Sequence, residues 1–525
     1  MTGPAMLVDV LAAIALAIGF AAQMVRWLRV LQREHYEPSS MSRFLGRWTS
    51  PSVASATSPT SMRLKRPITL SHVLLVVLVV AVVVRADAIV VVVAVIYGLF
   101  APRGLALKGR TSALQWTRRL RTVAVCSTIA AFAIAVAGAF STRPWLLAVA
   151  MVWAVPALLD VTTRLLAPYE NRRAAAFVAR ATTRLERVQP RVVAITGSFG
   201  KTSTKNHLFD LLAPDGGVVA SPRSFNNRAG LSRSINENLA DGTRIFIAEM
   251  GTYGPGEIRD LCSWCPPDLA VITAIGPVHL ERMRTLDVVD QAKFEITERA
   301  RTVVVNVDDS RLARWLPRLI ASGQRVVSCG SRSEDAMIRV VPDGPRWSLI
   351  VHGDLVGQMA SVEGLQTTNV ACAIGAALEL GLTSAQVLER SGQLRAVANR
   401  SQVVTAPSGV VVIDDTFNAN PASADAALNL LISLELSGRL VVVTPGLIEL
   451  GPEQYGANMS LAQQVIARGV ELVIVGRTNV IPMAIGAGQG YRRFDTREDA
   501  VSWVRSSLAA GDGVLYLNDL PDHYP

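Results

Sequence analysis

Val192-Val193-Ala194-Ile195-Thr196-Gly197-Ser198-Phe199-Gly200-Lys201-Thr202-Ser203-Thr204 joins a short apolar run to a helix-like segment that continues from Lys205 to Leu212. A strand, a tight glycine-bounded loop ending in Lys-Thr, and a helix together hold a nucleoside triphosphate. Backbone N–H groups of the loop and helix start face the phosphates, and the glycines permit the close approach. Thr196, Gly197, Ser198, Gly200 and Ser203 shape this cradle, Lys201 neutralises the β- and γ-oxygens, and the Thr202 hydroxyl ligates Mg²⁺. Counted from Gly197, the spacing is one residue shorter than G-x-x-x-x-G-K-[ST], so the loop alone implies ATP or GTP and leaves the reaction open.

Upstream of the loop the chain is apolar. Ala5–Met24, Leu70–Val84, Ala88–Ala101, Thr122–Ser141 and Trp145–Leu159 are hydrophobic runs, the second and third separated by Arg85-Ala86-Asp87. A bilayer takes about 20 apolar residues to cross. The first and fourth runs reach this readily, while the Val-rich pair is short enough for a tight hairpin or a re-entrant segment. Five spans over residues 1–165 are expected. No basic leader precedes the first run, which argues against a cleaved signal peptide. Basic residues crowd Arg26–Arg66, Arg103–Arg121 and the stretch after Leu159, whereas the intervening turns hold only Arg85 and Arg143. The positive-inside rule then puts the N-terminus outside and everything after Leu159 in the cytoplasm, as a multi-pass plasma-membrane protein. Ser40–Ser61, rich in Ser, Thr and Pro, reads as a flexible cytoplasmic loop.

The net charge of +10 does not indicate nucleic acid. Residues 1–190 carry 22 Lys/Arg against 7 Asp/Glu, and the remainder carries 30 against 35. The basic excess therefore belongs to the membrane-flanking loops, and the rest is mildly acidic.

From Val192 onward, continuous apolar runs at Arg244–Ala248, Leu269–Ile272, Val303–Val305, Val410–Ile413, Leu440–Val443 and Glu471–Val475 alternate with helical stretches. That pattern predicts α/β architecture with parallel sheets covered on both faces. A break near Gln402–Ser408 divides it into an ATP-binding unit, 191–401, and a smaller Rossmann-like unit, 402–525.

Four further blocks settle the class: Arg223-Ser224-Phe225-Asn226-Asn227-Arg228-Ala229-Gly230 with Ile247-Ala248-Glu249-Met250-Gly251; Ile272 to Glu281, which contains His279; Asp290 to Ile296, which contains Lys293; and Asp414-Asp415-Thr416-Phe417-Asn418-Ala419-Asn420-Pro421. In this order they resemble the Mur ligase family, most closely its MurF type, over Val192 to the C-terminus. The resemblance implies an ATP-dependent ligase of cell-envelope precursor synthesis: a carboxylate is phosphorylated by ATP and an amine attacks the acyl phosphate. No enzyme nucleophile is needed, so the site works by positioning and electrostatics. It also implies that Thr202 and Glu249 hold one Mg²⁺, that His279 lies near a second, and that Lys293 is the lysine the family carbamylates. Arg400 would reach the γ-phosphate, Asn369 the adenine and Asp415 the ribose, with Asn418 and Asn420 shaping that loop. An Asp-Asp pair also suits a turn cap. Two places depart from the family pattern: Leu365-Gln366 precedes Asn369 where His-Asn is usual, and Thr444-Pro445-Gly446-Leu447-Ile448-Glu449-Leu450-Gly451 replaces Gly-Asp-Met-Leu-Glu-Leu-Gly.

The largest departure is at the front. Family members carry a soluble domain that binds the UDP moiety, yet only Asp160–Pro190 separates the last apolar run from the ATPase strand. The amine donor is an amino acid or dipeptide. The carboxylate acceptor is a soluble small molecule, a lipid-linked precursor, or a poly-γ-glutamate-type polymer. An ATP-binding envelope scaffold without turnover is the reading from another class. The five cysteines read as reduced thiols. Cys262-Ser263-Trp264-Cys265 lacks two further zinc ligands and reads as a pair of small helix residues, and Cys329 and Cys372 read as single and distant.

Overall fold

In a computed structural model, the described residues are 3–518 except 38–39, 50–69, 103–104, 106, 108–113, 223–224, 363, 396–401 and 417–418. All five apolar runs form helices: α1 (Gly3–Arg33), α3 (Leu70–Val83), α4 (Asp87–Phe100), α5 (Arg118–Ala139), and the pair α6 (Pro144–Trp153) and α7 (Val155–Val188). Among the described residues, only Leu7–Arg33 of α1 and α5 are long and apolar enough to cross a membrane alone; α6 and α7, bent by 77°, add a third span if counted together. The expectation of five full spans is thereby reduced. At 14 residues each, α3 and α4 reach about 21 Å, short of an apolar layer of about 30 Å. They form the hairpin that the charged Arg85–Asp87 turn suggested.

Small residues set the helix packing here. A Cβ on Gly98 of α4 would collide with the Gly19 backbone of α1, so the two helices touch backbone to backbone. Gln23 and Arg26 of α1 donate to the carbonyls of Tyr97, Gly98 and Leu99 at the end of α4, and also to Ala101 and Leu105. Two polar side chains buried in an apolar bundle thus satisfy the acceptors that a helix end leaves open. Large apolar side chains such as Leu7, Leu11, Ile14, Val76, Val80, Ile129 and Phe132 face outward. So continuous an apolar exterior suits lipid rather than water.

Ser40–Thr49 is a helix, α2, and not the loop its composition implied. Asp160 of α7 accepts from Met41 N, Ser42 N and the Ser42 hydroxyl at 3.2, 3.0 and 2.7 Å, capping the start of α2 across the fold. Residues 50–61 of the expected loop lie outside the described residues. α7 runs on from the bundle to Val188, with two residues between it and the first strand. Arg184 near its end donates to Asn236 and Leu239 carbonyls at the end of α9 (below), fastening this helix to the α/β part.

The first sheet has nine strands: β1 (Arg191–Thr196), β2 (Val218–Ala220), β3 (Ile245–Glu249), β4 (Leu269–Ile272), β5 (Thr302–Asn306), β6 (Arg325–Gly330), β7 (Ile338–Asp343), β8 (Arg346–Val351) and β9 (Asp354–Ala360). Their order is β2-β3-β1-β4-β5-β6-β7-β8-β9, parallel up to β7, with β8 and β9 added antiparallel. α8 (Lys201–Leu212), α9 (Arg228–Asn238), α10 (Glu257–Trp264), α11 (Leu280–Met283) and α12 (Leu286–Phe294) follow the early strands. Apolar clusters on both faces, one around Phe246 and Val303 and one around Leu208 and Ile374, account for the near-continuous Val/Ile/Leu strands. The second sheet runs β10-β11-β15-β12-β13-β14, from β10 (Gln402–Thr405), β11 (Val411–Asp415), β12 (Leu440–Thr444), β13 (Glu471–Val475), β14 (Tyr491–Phe494) and β15 (Gly513–Leu517). The break expected at Gln402–Ser408 begins as an antiparallel edge strand, β10.

β6 and the helix Thr367–Glu379 bring the buried Cys329 and Cys372 next to each other, apart from the Cys262 and Cys265 pair. Cys262 lies on α10 and Cys265 just beyond it; both are buried, and burial pushes the Cys262 thiol up to about 12.

Candidate active site

β1 is the point at which the first sheet changes direction. The chain leaves it toward β2 on one side, and β4 pairs with it on the other. Ligands in open α/β sheets bind at the carboxyl ends of the strands at such a point, and there the Gly197–Gly200 loop lies. Ser198 N donates to Ala274 O at 2.7 Å, the Ser198 hydroxyl to Gly276 O at 3.1 Å, and the Thr196 hydroxyl to Met250 O at 2.8 Å. The hydroxyl of Thr273 donates to Phe199 O. The loop is thus tied to the ends of β3 and β4 before any ligand arrives. Gly200 has φ +79, and a Cβ there would strike the Asn369 side chain, so glycine is required on two counts. Asn369 therefore stands directly against the phosphate loop, at the start of the Thr367–Glu379 helix.

Lys201 opens α8 and turns back over the loop, its Nζ donating to Gly197 O at 2.6 Å and Ser198 O at 3.2 Å. The Thr202 hydroxyl donates to Glu249 Oε2 at 3.0 Å. Glu249 ends β3, almost fully buried, with Asn226 Nδ2 3.2 Å from Oε1 and the ammonium of Lys205 3.2 Å from Oε2. Burial would raise its pKa, but Lys205 and Lys201, with the hydrogen bonds from Asn226 and Thr202, outweigh this and hold the carboxyl below its usual range. Lys205 also donates to Ser221 O at 2.8 Å. Sequence reasoning gave no role to Lys205; its signal was its place one helical turn after Lys201, on the side facing β3.

Lys293, on α12, is 1% exposed. Burial first, and then the neighbouring charge of Lys201, depress its pKa well below that of an ordinary lysine, with Glu257 opposing. A neutral amine is favoured there. Two carboxylates pin the loop between β3 and α10: Glu257, whose charge reaches Lys293, accepts from Tyr253 N at 2.7 Å, and Glu295, just after α12, accepts from Gly256 N at 2.6 Å and Arg259 N at 3.0 Å.

His279 precedes α11 at φ +52. Its Nδ1 lies 2.6 Å from Glu449 Oε2, and Leu280 N donates to Glu449 O at 2.9 Å. The Tyr253 ring meets the imidazole edge to face with centroids 4.5 Å apart. Glu449 belongs to the segment that departs from the family pattern, and it links the second sheet's unit to the first; no local signal marks that pairing. Among the described residues no group of three or more His, Cys, Asp or Glu gathers as a cation site. The Thr202 hydroxyl and the ionised Glu249 carboxylate nevertheless suit Mg²⁺, which takes one or two protein oxygens and fills its shell with phosphate and water.

Asp415 ends β11, buried, with its carbonyl accepting Asn518 N at 3.0 Å. The turn-capping role falls to its neighbour: Asp414 Oδ1 accepts Thr416 N and its hydroxyl at 3.1 and 2.6 Å. Asn420 caps the helix Pro421–Ser433 through Ala422 N and Ser423 N. Arg400 and Asn418 lie outside the described residues.

Comparison with known proteins identifies both α/β units. The Mur ligase middle domain matches residues 195–377, and the Mur ligase glutamate ligase (C-terminal) domain matches 399–517. The UDP-N-acetylmuramoyl-tripeptide–D-alanyl-D-alanine ligase of Mycobacterium bovis is 32% identical over 359 residues, covering 62% of this chain and 69% of that protein. The protein of the same name from Bacillus subtilis is 25% identical over 341 residues, covering 63% and 74%. The MurF ligase of Thermotoga maritima, solved in complex with ADP, shares the fold with a TM-score of 0.58 at 24% identity, over 66% of this chain and 80% of that one. With the phosphate loop, Glu249, Lys293 and His279 on one scaffold, the chain belongs to the Mur ligase family and is of its MurF type.

Proposed function

We propose that this chain is a membrane-bound ligase that joins a carboxylate to an amine at the expense of ATP in cell-envelope precursor synthesis, with residues 1–165 as membrane region, 191–401 as ATP-binding unit and 402–525 as the second ligase unit. The observation that carries this reading is the buried, ionised Glu249 aligned with Thr202 directly behind a preformed phosphate loop. The loop amides hold the triphosphate, and Lys201 exchanges the Gly197 and Ser198 carbonyls for phosphate oxygens. Thr202 and Glu249 would hold Mg²⁺, which would supply neutralisation of the charge on the transferring phosphoryl. The acceptor carboxylate attacks the γ-phosphorus and ADP leaves. The amine then attacks the acyl carbon, phosphate departs, and the amine nitrogen loses a proton. Lys293, whose burial favours the neutral amine, is able to add CO₂: an N–C bond forms, a proton is lost, and the neutral amine becomes an anionic oxygen donor. His279 faces the same region with Nδ1 held by Glu449. Asn369 and Asp415 are assigned to the nucleotide by their places at the loop and at the end of β11, and Arg400 to the γ-phosphate by resemblance.

The relatives named above act on UDP-N-acetylmuramoyl-tripeptide and D-alanyl-D-alanine, and a carboxylate acceptor with a dipeptide donor is the corresponding reading here. α7 joins the helical bundle to β1 with no domain inserted between them, which favours an acceptor presented at the membrane. With the bent α6–α7 pair counted as one span, the total is odd whether or not α3 and α4 cross, and the basic flanking loops then favour the N-terminus outside and the ligase part in the cytoplasm. The test is phosphate release by the full-length protein in bilayer nanodiscs, with soluble UDP-linked against lipid-linked precursor. Faster turnover of the lipid-linked form supports membrane presentation, and equal turnover of both restores the soluble substrate.

A further inference from the structure

The turn that follows α1 rests on the ligase part beside His279. Glu34 Oε2 and Glu37 Oε2 lie 3.2 and 2.7 Å from the Arg282 guanidinium, and both also meet Arg43 of α2 at 3.2 Å. Arg282 lies over the Tyr253 ring, 4.7 Å from its centroid. The Tyr253 hydroxyl is 3.2 Å from Nε2 of His35, and its ring edge meets His279. From the opposite side Glu449 holds Nδ1 of His279, while its neighbour Ile448 packs against the membrane-region cluster of Met24, Trp27, Leu28 and Phe44. Three parts of the chain, otherwise hundreds of residues apart, converge on one imidazole. That imidazole belongs to a residue in the left-handed region, which a non-glycine residue keeps only where its surroundings over-determine it.

We propose that the Glu34–Glu37 turn is a positioning element for His279, so that the membrane region completes the active site as well as anchoring it. Glu34 and Glu37 fix Arg282; Arg282 and His35 fix the Tyr253 ring; the ring sets the tilt of the imidazole. Glu449 accepts from Nδ1–H, which fixes the tautomer and leaves Nε2 for the reacting groups. The carboxylate–guanidinium contacts are mostly buried, with Glu34 10% and Arg282 21% exposed at the side chain, so they are screened less than surface pairs. This rests on the ligase reading but differs from simple tethering. A tether confines the acceptor whatever the charge on Glu34, whereas a positioning element fails when its charge is removed.

The test uses the full-length protein in nanodiscs, as wild type, Glu34→Gln/Glu37→Gln, Arg282→Glu, the charge-exchanged Arg282→Glu/Glu37→Arg, and the conservative Arg282→Lys. Hydrogen exchange at 279–284 and 447–451 is expected to rise about tenfold in the first two variants, with 197–204 unchanged, and to return toward wild type in the last two. Phosphate release with lipid-linked or UDP-linked precursor should fall about tenfold or more in kcat at unchanged KM for ATP, with the same pattern of rescue. Unchanged exchange and kcat in Glu34→Gln/Glu37→Gln would overturn the proposal, as would exchange rising throughout the protein, or no rescue by charge exchange. Absence of turnover in wild type itself would count against the ligase reading, and the exchange data would still decide the positioning role.

Discussion

Replacing Glu249 by Gln separates the two tasks this side chain performs. The substitution keeps the shape and removes the charge, leaving the Lys205 ammonium buried, with a side-chain exposure of 3%, and without its carboxylate partner 3.2 Å away. Removing one member of a buried pair costs about 3 kcal/mol or more, because the other charge stays desolvated. For a unit of this size that lowers Tm by roughly 10 °C. A second substitution, Lys205→Met, removes the stranded charge. The double variant is therefore expected to recover most of the stability, with a coupling energy of about 2 kcal/mol in the double-mutant cycle. Phosphate release should not recover with it: both variants lose the carboxylate proposed to hold Mg²⁺, and turnover is expected to drop by about 10²-fold or more in each. Thermal melts and phosphate release on the four proteins give the complete cycle. A Glu249→Gln protein as stable as wild type would refute the buried-pair argument, and a double variant with restored turnover would refute the metal-holding role.

Lys201→Ala should lower phosphate release by about 10³-fold, since one charge facing the transferred phosphoryl carries several kcal/mol of transition-state stabilisation; turnover within threefold of wild type would contradict it. Lys293→Ala should be inactive and partly rescued by added acetate or formate if a carbamate is the working species, and full activity without a rescue agent would remove Lys293 from the site. His207 on α8 is fully buried, and burial alone takes its pKa from 6.5 to about 4. The fold therefore favours the neutral ring: its contribution is intact above about pH 6.5 and is lost as pH falls toward 4, amounting to on the order of 2 kcal/mol between pH 7 and 5. Urea melts of wild type and His207→Leu at those two pH values should show a smaller acid loss in the variant, and equal losses would exclude His207 as the cause.

Much of the scaffold was legible because parallel strands covered on both faces are written as unbroken apolar runs. Leu269–Ile272 and Glu471–Val475 coincide with β4 and β13. The β7–β9 meander escaped because its strands alternate apolar with polar residues at the edge of the sheet, as in Ile338-Arg339-Val340. α2 was read as a loop from its Ser-rich composition; the cap that makes it a helix comes from Asp160, 118 residues away. The phosphate loop, Glu249 and Lys293 were proposed from local motifs, and the structure sets Glu249 against Thr202 of the loop and buries Lys293. The Lys205–Glu249 pair, the Cys329–Cys372 contact and the Glu449–His279 bond were not proposed, because each depends on elements brought together only by sheet order or by docking of one unit on another. Of the five apolar runs, helical character was legible but span length was not: α3 and α4 stop at 14 residues each, and a bend at Ala154 divides the run Trp145–Leu159.

As a ligase, this protein couples ATP cleavage to joining a carboxylate and an amine. The most direct measurement is phosphate release from Mg·ATP by the full-length protein in nanodiscs, with muramoyl-tripeptide precursor and D-alanyl-D-alanine supplied together and each omitted in turn. Sustained release only when both are present, matched by amide product, is the predicted result. ATP binding with release that is indifferent to either substrate, and no amide formed, would contradict it and leave an ATP-binding scaffold in its place.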